Sequence, residues 1–351
     1  MGKRREPRLE FSIREILIYE EIVKAEELLS RNNLSLGQNL DHILGIYNKG
    51  QLIGTGGIKG NTLRCIAIDQ SYKGTNVLNK LISELIKIQY FRGNTHIFIF
   101  TKPSAKGSFN HMGFYEIEEV KNEVVLMENR KSGLEEYLKS LRDYKTCGED
   151  IGAIVMNGNP FTLGHRYLIE RAAEDCDHLH IFVLSSEKST FSHKVRYDLI
   201  KKGTEHIKNI TVHSGGPYII SEATFPTYFM KEKSDKSRIH AILDSKIFSK
   251  NIGPSLGINT RYVGDEPYCK TTNMYNNILK EILPSHNIDL KVIKRKSHDH
   301  KPISASLVRD YMKNEEYEKI KNLVPNTTYN YLVSEEGKKI IKKIKGKEER
   351  H

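Results

Sequence analysis

The stretch IGAIVMNGNPFTLGH at residues 151–165 decides the fold of the second half of this chain. Its opening, IGAIVM, is apolar and too short for a helix, so it predicts a buried strand. Asn157, Gly158 and Pro160 then indicate a turn, and a helix is predicted to begin at about Leu163. Ligands of open parallel sheets bind at the carboxyl ends of strands, so this turn is the first candidate site.

The same turn offers groups that suit a phosphate. A helix N-terminus presents free backbone N–H groups and a partial positive charge. Thr162 and His165 lie in the first helical turn, where both side chains can reach one phosphate, and Gly164 leaves room for a nucleotide to approach the helix backbone. The sequence contains neither GxxxxGK(S/T) nor GxGxxG, which excludes a Walker A loop and a dinucleotide turn.

A second signal of the same kind lies at residues 302–309, PISASLVR. Pro302 followed by Ser304 predicts a helix start with Ser304 as the N-cap. Ser306 and Arg309 are three positions apart and share one helix face. Two hydroxyl groups and one guanidinium could therefore bind an anion together at this second helix N-terminus.

Strands and helices alternate through the second half, which predicts a doubly wound parallel sheet. The predicted strands are 151–156, 179–184, 210–213, 260–264 and 289–293. The predicted helices are 164–175, 193–207, 271–283 and one that starts at 304.

The first half has a different pattern, with short β-rich runs around two helices. The predicted helices are 20–31 and 76–91, with a short one near 104–112. The predicted strands are 12–18, 43–48, 51–58, 62–68, 96–101, 114–118 and 123–127. The charged segment 128–148 is amphipathic and predicts a connecting helix.

Length, charge and cysteine usage limit the class of protein. A chain of 351 residues suggests two domains, at about 150 residues each. The formal charge of +11 suggests an anionic partner, which could be a nucleotide, a nucleic acid, an acidic protein or a membrane surface. The four cysteines are far apart, there is no signal peptide, and no run of about 18 apolar residues occurs, so a reduced cytoplasm is expected.

The two motifs resemble those of the nucleotidyltransferase superfamily, whose pattern is (H/T)xGH followed by ISxxxR. Here they read TLGH at 162–165 and ISASLVR at 303–309. Within that superfamily the chain resembles the citrate lyase ligase family over its whole length. The resemblance is carried by NGNPFTLGHRYLIERAA (157–173), SSEKSTF (185–191), YIISEATFPTYF (218–229), RYVGDEPYC (261–269) and PISASLVR.

The resemblance implies an α/β protein of two domains. Residues 1–128 would form an α+β domain like that of GNAT acetyltransferases, and 129–148 a connecting helix or linker. Residues 149–337 would form a Rossmann-like nucleotidyltransferase domain that binds ATP, followed by a basic tail at 338–351.

In the first domain, the resemblance draws attention to a loop before the helix at 76–91. Such a loop holds the pyrophosphate of coenzyme A in acetyltransferase-like folds. The usual pattern ends in a second glycine or an alanine, whereas this chain has an asparagine, so docking of a related pantetheine arm is an alternative to free coenzyme A. The candidate residues are Lys73, Gly74, Thr75 and Asn76.

The activity that the resemblance implies is that of an acid–thiol ligase. Acetate would attack the α-phosphorus of ATP to give acetyl-adenylate and pyrophosphate. The thiol of the phosphoribosyl-dephospho-coenzyme A arm on the acyl carrier subunit of citrate lyase would then take the acetyl group and release AMP. Mg²⁺ is expected with ATP, held largely by phosphate oxygens and water, and the sequence names no protein ligand for it.

Residue roles follow from the same resemblance. His165 and Thr162 would bind α- and β-phosphate oxygens. Ser304, Ser306 and Arg309 would hold the β- and γ-phosphates, and Lys188 would act as a mobile clamp. Gly264 and Asp265 would lie beside the ribose or adenine. The implied ATP-binding set is Asn157, Gly158, Asn159, Phe161, Gly164, Arg196, Gly264, Asp265, Ser304 and Ser306.

Two other functions share this ATP site. One is an adenylyltransferase that acts on a phosphorylated small-molecule acceptor, and the other is a sensor that binds ATP without turnover. Nucleic-acid binding is disfavoured, because the lysines and arginines are scattered and no aromatic-lined recognition motif occurs.

Overall fold

The computed structural model describes residues 11–37, 39–185, 189–219, 233–265, 270–298 and 301–348, with side chains left undescribed at 233–236, 301 and 342–348. The chain forms two compact units. Of the described residues, the first holds those up to Gly133, and the second holds those from Leu134 onward except residues 233–239, which group with the first. In these described ranges no helix has the length and apolar character needed to cross a membrane.

The first unit contains a seven-stranded mixed sheet in the order β1-β2-β3-β4-β5-β7-β6. Its strands are β1 (Phe11–Glu15), β2 (His42–Asn48), β3 (Gln51–Lys59), β4 (Thr62–Ile68), β5 (Phe98–Thr101), β6 (Tyr115–Val120) and β7 (Val124–Glu128). Its helices are α1 (Tyr19–Arg31), α2 (Val77–Phe91) and α3 (Lys106–His111). Neighbouring strands are antiparallel except β4 and β5, which are parallel.

Helices α1 and α2 cover opposite faces of this sheet. Ile46 and Tyr47 are consecutive in β2, so their side chains point to opposite faces. Ile46 packs in one buried cluster with residues of α2, whereas Tyr47 packs in another with residues of α1. The amphipathic helices predicted from the sequence thus each bury one apolar face against the sheet.

A bulge in β4 opens this sheet beside β5. Thr55 of β3 pairs with Ala67, whereas Gly57 pairs with Arg64, so β4 carries one extra residue at this point. Cys65 in the bulge has a positive φ of 53°. The parallel ladder between β4 and β5 contains only Thr62↔Phe98 and Leu63↔Ile99. Beyond those pairs the strands separate, as bulges promote, and they leave a cleft.

The second unit contains a five-stranded sheet, parallel throughout, in the order β10-β9-β8-β11-β12, and a small hairpin. Its strands are β8 (Ile151–Met156), β9 (His178–Val183), β10 (Ile210–Ser214), β11 (Thr260–Gly264), β12 (Asp289–Ile293), β13 (Ser297–His298) and β14 (Lys301–Pro302). The order of the five strands confirms the predicted doubly wound α/β fold.

Helices connect these strands and continue after them. They are α4 (Gly133–Arg142), α5 (Leu163–Glu174), α6 (His193–Gly203), α7 (Lys233–Ile247), α8 (Gly253–Leu256), α9 (Lys270–Ile282), α10 (Ala305–Lys313), α11 (Tyr317–Lys321), α12 (Asn326–Val333) and α13 (Glu335–Glu348). The sequence did not predict α7, α8, α11 or α12. Helix α4, the predicted connecting helix, packs on the second unit through Tyr137, whose hydroxyl donates to Gly215 O at 3.0 Å.

The chain enters the second sheet at its centre. It begins with β8, adds β9 and β10 on one side, and then crosses to β11 and β12 on the other. The ladder between β8 and β11 contains only Thr260↔Gly152 and Arg261↔Ala153. Strands that leave a common centre in opposite directions create a crevice at their carboxyl ends, and ligands of this fold bind there.

The C-terminal segment extends the second unit into the predicted basic tail. Helix α13 begins at Glu335, before the tail was predicted to start, and Ile341 is buried in a cluster with Leu332 and Met312. The segment up to Glu348 is therefore helical, and Ile341 attaches its first turns to the core of the second unit.

Candidate active site

The turn after β8 is held in one conformation by its own residues. Gly158 has φ +57°, and a Cβ there would lie 3.0 Å from Ile200 Cδ1, so only glycine fits without strain. The Asn159 side chain accepts a hydrogen bond from Phe191 N–H at 3.0 Å, and Ser189 Oγ donates to Asn157 Oδ1 at 3.1 Å. The loop after β9 therefore fixes the turn from the side.

Arg196 lies beneath this turn rather than at its surface. The side chain is fully buried, at 0% exposure. Its Nη1 donates to Asn157 O, Asn157 Oδ1 and Leu184 O, each at 2.8 Å, and its Nε donates to Phe191 O at 3.0 Å. Burial lowers the Arg196 pKa to about 10, so the group stays charged at neutral pH. Arg196 therefore supports the turn from below.

Thr162 and His165 form a capping box at the start of α5. Thr162 N–H donates to His165 Nδ1 at 3.1 Å, and His165 N–H donates to Thr162 Oγ1 at 3.2 Å. Because Nδ1 accepts a main-chain N–H, a neutral ring carries its proton on Nε2. The Thr162 side chain is only 1% exposed, so its hydroxyl serves the cap and orients the imidazole.

The environment of His165 keeps the ring neutral. Burial lowers its pKa to about 4, with the positive charge of Arg295 adding to the shift. Phe161 lies under the ring, with 6.0 Å between ring centroids and 11° between planes. Phe161 itself is buried in the core, so it supports the imidazole and does not face the crevice. At neutral pH His165 is therefore a hydrogen-bond donor through Nε2.

Arg309 joins the two sequence motifs. Its Nη1 donates to Asn159 O at 2.6 Å, and its Nη2 donates to Ser306 Oγ at 3.0 Å. Ser304 caps α10 as predicted, because its hydroxyl accepts Leu307 N–H at 3.1 Å. Burial lowers the Arg309 pKa, with Asp310 opposing the shift. The turn after β8 and the start of α10 thus converge on one arginine.

Gly164 lies where the N-termini of α5 and α10 meet. A Cβ at this position would lie 3.1 Å from Ile303 O and 3.5 Å from Ile303 Cβ. The residue that precedes Ser304 therefore fills the space that a side chain at 164 would need. Glycine here lets the N-termini of α5 and α10 approach each other closely.

The carboxyl end of β11 borders the same crevice. Asp265 Oδ1 accepts the backbone N–H of Arg295 at 2.7 Å, and Gly264 O accepts from Asn276 Nδ2 at 3.1 Å. Sequence reasoning missed Arg295, whose charge acts on His165. The basic run Lys294–Lys296, which directly follows β12, was the sequence feature that could have indicated it. Lys188, the predicted clamp, lies outside the described residues.

The cleft in the first unit has a volume of about 720 Å³. It lies between the separated ends of β4 and β5, and Lys73, Gly74 and Thr75 of the predicted loop line it. Asn76 is not among its lining residues but precedes α2 as an N-cap whose side chain caps nothing. Among the described residues, its lining includes the titratable side chains of Tyr72, Lys73, Lys102 and His111 and no carboxylate.

Comparison with known proteins gives matches for both units. The profile of the citrate lyase ligase C-terminal domain matches residues 151–332. A protein of Escherichia coli strain K12 named "[Citrate [pro-3S]-lyase] ligase" is 40% identical over 318 residues, which are 89% of this chain and 90% of that protein. A protein of the same name from Haemophilus influenzae is 39% identical over 88% of this chain and 93% of its own length.

Solved structures are similar to about a third of the chain. Escherichia coli ElaA matches with 12% identity and a TM-score of 0.30, over 34% of this chain and 99% of its own. A putative N-acetyltransferase from Lactobacillus plantarum matches with 16% identity and a TM-score of 0.30, over 34% of this chain and 96% of its own.

Proposed function

The chain belongs to the citrate lyase ligase family, and we propose that it activates citrate lyase by acetylating the thiol of its acyl carrier subunit. Acetate attacks the α-phosphorus of ATP, and the bond to the leaving pyrophosphate breaks. The thiolate then attacks the acetyl carbonyl of acetyl-adenylate, and AMP leaves. The relatives named as ligases support the reaction, and the convergence of both motifs on Arg309 is the structural observation that carries it.

The first step needs charge stabilisation more than proton transfer. Acetate is already an anion, so it needs no general base. Negative charge develops on the α-phosphate and on the leaving pyrophosphate, where positioned donors lower the barrier. His165 Nε2–H, kept neutral, would donate to the α-phosphate, with Thr162 fixing its ring. Arg309, Ser304 and Ser306 would hold the β- and γ-phosphates.

The described residues do not supply a carboxylate cage for Mg²⁺. Across the described ranges, no group of three or more His, Cys, Asp or Glu side chains could hold a metal ion. Asp265 directly follows the carboxyl end of β11. One of its two carboxylate oxygens already accepts a hydrogen bond from Arg295 N–H. Mg²⁺ would therefore arrive with the triphosphate and keep phosphate and water as its ligands.

Exchange of labelled pyrophosphate into ATP tests the first step. We expect exchange that depends on acetate and needs no thiol acceptor. Exchange only with a phosphate-bearing acceptor would instead identify an adenylyltransferase. ATP binding without pyrophosphate release under any acceptor would identify a sensor.

For the first unit we propose that the cleft docks the acceptor's thiol arm. The arm is long, mostly uncharged, and carries amide groups. The facing edges of β4 and β5 beyond Leu63 and Ile99 lack ladder partners across the cleft, so their backbone groups can bond to amides. Lys73 and the backbone N–H groups at the start of α2 would take a phosphate at the end of the arm.

A cleft-filling substitution in the full chain tests this docking. Ser108 is exposed and lines the cleft, whereas Asn110 is exposed on the same helix and does not. We expect Ser108→Trp to reduce acetyl transfer to the carrier at least about tenfold, since loss of about 1.4 kcal/mol of binding gives that factor. Acetate-dependent exchange should remain, and Asn110→Trp should behave as the parent. Full transfer by Ser108→Trp would remove the cleft from the reaction.

A further inference from the structure

Arg295 belongs to neither sequence motif, yet it lies at the candidate active site. It follows β12, which pairs with β11 and is the last strand in the sheet order. The Asp265 carboxylate accepts the Arg295 backbone N–H at 2.7 Å, and Asp265 N–H donates to Ile293 O at 2.9 Å. The residue that follows β11 therefore fixes the point at which Arg295 leaves the sheet.

The side chain of Arg295 turns back over the end of β11. A Cβ added at Gly264, the last residue of β11, would lie 3.9 Å from both Cγ and Nε of Arg295. The stem of the side chain therefore passes over β11, and the residue is half-buried. Because β11 borders the crevice that it forms with β8, this path brings the guanidinium to the crevice.

The backbone after Arg295 is attached to both helices that carry the sequence motifs. Lys296 O accepts Ile303 N–H at 3.1 Å, directly before the cap of α10. Ile303 O in turn lies 3.1 Å from a Cβ added at Gly164, in the first turn of α5. Lys296 Nζ lies 5.8 Å from the ring centroid of Tyr167, also in α5. The segment that begins at Arg295 therefore lies beside the starts of α5 and α10.

Arg295 and His165 offer two different kinds of donor at this place. Burial is the main cause of the low His165 pKa, and the positive charge of Arg295 lowers it further, so the two groups lie close enough to interact. The neutral ring donates one hydrogen bond through Nε2–H. The guanidinium is charged and donates in a planar fork, which matches two oxygens of one phosphate. A phosphate in front of the ring could accept hydrogen bonds from both groups.

We propose that Arg295 is a catalytic residue of the first step, whose guanidinium binds the two non-bridging oxygens of the α-phosphate beside His165. Negative charge develops on this phosphate as acetate attacks, so a fixed cation stabilises the transition state more than the ground state. Arg309 serves the other end of the triphosphate, because it is bonded to Ser306 at the start of α10. The inference rests on the proposed ATP site and not on the identity of the acceptor.

Calorimetric titration of the full chain with AMP and with adenosine tests the contact, because the two ligands differ only in the α-phosphate. Arg295→Met keeps an apolar stem over β11 and removes the guanidinium. We expect this variant to bind AMP at least about tenfold more weakly and adenosine like the parent. Arg295→Lys keeps the charge without the fork, so its affinity for AMP should lie between those of the parent and Arg295→Met.

The preceding lysine provides a matched control. Lys294 is exposed, and Lys294→Met removes one positive charge from the same segment. This control should bind AMP like the parent. Equal weakening of AMP in Lys294→Met and Arg295→Met, equal weakening of AMP and adenosine in Arg295→Met, or no AMP binding by the parent would each overturn the proposal. If Arg295→Met does not fold, Arg295→Lys decides, because parent-like AMP binding by that variant would exclude the two-oxygen contact.

Acetate-dependent exchange at pH 8 tests the catalytic part. Arg295→Met should lower kcat by about 10² and leave the KM for acetate unchanged. Loss of the neighbouring charge would let the His165 pKa rise toward its usual value of about 6.5, but the ring stays neutral at pH 8, so the lost rate reports on Arg295 itself.

Two other results of this experiment are informative. A raised KM for acetate with unchanged AMP binding would place Arg295 on the carboxylate of acetate and overturn the assignment to the α-phosphate. Absence of acetate-dependent exchange in the parent would refute the proposed function, whereas the titrations with AMP and adenosine would still decide the role of Arg295.

Discussion

Each of the two sheets of this chain has an opening between two of its strands, and we propose that the two openings bind different kinds of ligand. In each sheet the opening lies between two parallel strands that share only two ladder pairs, β4 with β5 and β8 with β11. A bulge causes the first opening, and the reversal of strand order causes the second. The two openings therefore have similar geometry but different structural causes.

The linings of the two openings differ in how their polar groups are fixed. The first cleft mixes polar and apolar side chains, and nothing lies within 4 Å of a Cβ added at Gly74 in its loop. The second crevice is built on side chains that are themselves buried and hydrogen-bonded, among them Arg196 and Thr162. A cleft of mixed polarity with an open loop suits a long arm that carries amide groups, whereas a fixed set of donors suits the charge that develops on a phosphate.

The largest expected difference concerns Arg196, the support of the second opening. Arg196→Leu leaves Asn157 O, Leu184 O and Phe191 O without their buried donor. We expect the free energy of unfolding of the second unit to fall by about 3–5 kcal/mol, as for other broken buried charge networks. Urea denaturation followed by circular dichroism measures this loss.

A neighbouring lysine provides the control. Lys194 lies on the same helix, is 86% exposed in its side chain and pairs with Asp198. Lys194→Leu should change stability by no more than about 0.5 kcal/mol. If Arg196→Leu were equally mild, the fixed framework that distinguishes the second opening would not exist.

A second difference between the two units concerns how their stability changes in acid. In the second unit His180 and His213 share a hydrogen bond of 2.9 Å between Nδ1 and Nε2. Burial, and then the neighbouring histidines, lower the pKa of His180 to about 3, and burial and His178 lower that of His213 to about 4. Because these pKa values lie below the unfolded value of about 6.5, the unfolded chain takes up more protons, and stability falls as the pH falls below about 6.5.

The first unit should respond to acid only at lower pH. Burial alone raises the pKa of Asp41, but hydrogen bonds from Lys59, Arg92 and Gly60 N–H lower it to about 2. The stability that this carboxylate contributes is therefore complete above about pH 4 and is lost as the pH falls toward 2. At pH 5 the second unit should have lost about 3–4 kcal/mol through its two histidines, while Asp41 still contributes in full.

Hydrogen exchange read by mass spectrometry measures this contrast. Peptides from β9 should lose protection between pH 7 and pH 5, after correction for intrinsic exchange, and peptides from β3 should not. In the double variant His180→Gln/His213→Gln the loss in β9 should shrink. An equal loss in both sheets would remove acid sensitivity from the comparison.

A third difference concerns the reaction itself. His165→Ala removes the Nε2–H donor, and we expect turnover in acetate-dependent exchange to fall by about 10² or more with the fold intact. His165→Gln places an amide N–H near the same point and should recover part of the rate. The His165 pKa of about 4 predicts that the parent rate does not change through this residue between pH 6 and 8. Parent-like turnover by His165→Ala, or a rate that titrates with His165 near pH 6.5, would exclude a neutral donor.

The sequence was sufficient for the elements that carry a clear pattern. Strands β8, β11 and β12 have the predicted bounds, because short apolar runs end at glycine, asparagine or a charged residue. Helix α7 was not predicted, because buried polar residues interrupt the apolar periodicity of an amphipathic helix. Among them are His240, Asp244 and Ser245.

Site residues were predictable by type but not by burial. Arg196 and Arg309 look alike in a sequence, yet one is sealed beneath the turn and the other joins the two motifs. Arg295 depends on β12 being next to β11 in space, which no local pattern encodes. Hydrogen-bond partners and spatial order, rather than residue type, separate a supporting arginine from one that can meet a ligand.

The smallest expected effects come from the two glycines near the helix starts, and they separate the two openings most sharply. Gly74 has φ +80° with no atom within 4 Å of an added Cβ, whereas Gly164 lies within α5 and an added Cβ meets Ile303 O at 3.1 Å. Alanine should destabilise by about 1 kcal/mol at either position, through backbone conformation at 74 and through crowding at 164.

The order of severity of alanine and asparagine should be opposite at the two positions, and melting temperatures followed by circular dichroism can measure it. Asparagine tolerates a positive φ better than alanine, so Gly74→Asn should be milder than Gly74→Ala. A larger side chain against Ile303 should make Gly164→Asn more severe than Gly164→Ala, with a matching loss of acetate-dependent exchange as the start of α10 is displaced. The same order at both positions would mean that the two helix starts require glycine for one shared reason, and the contrast between a conformational opening and a packed one would fail.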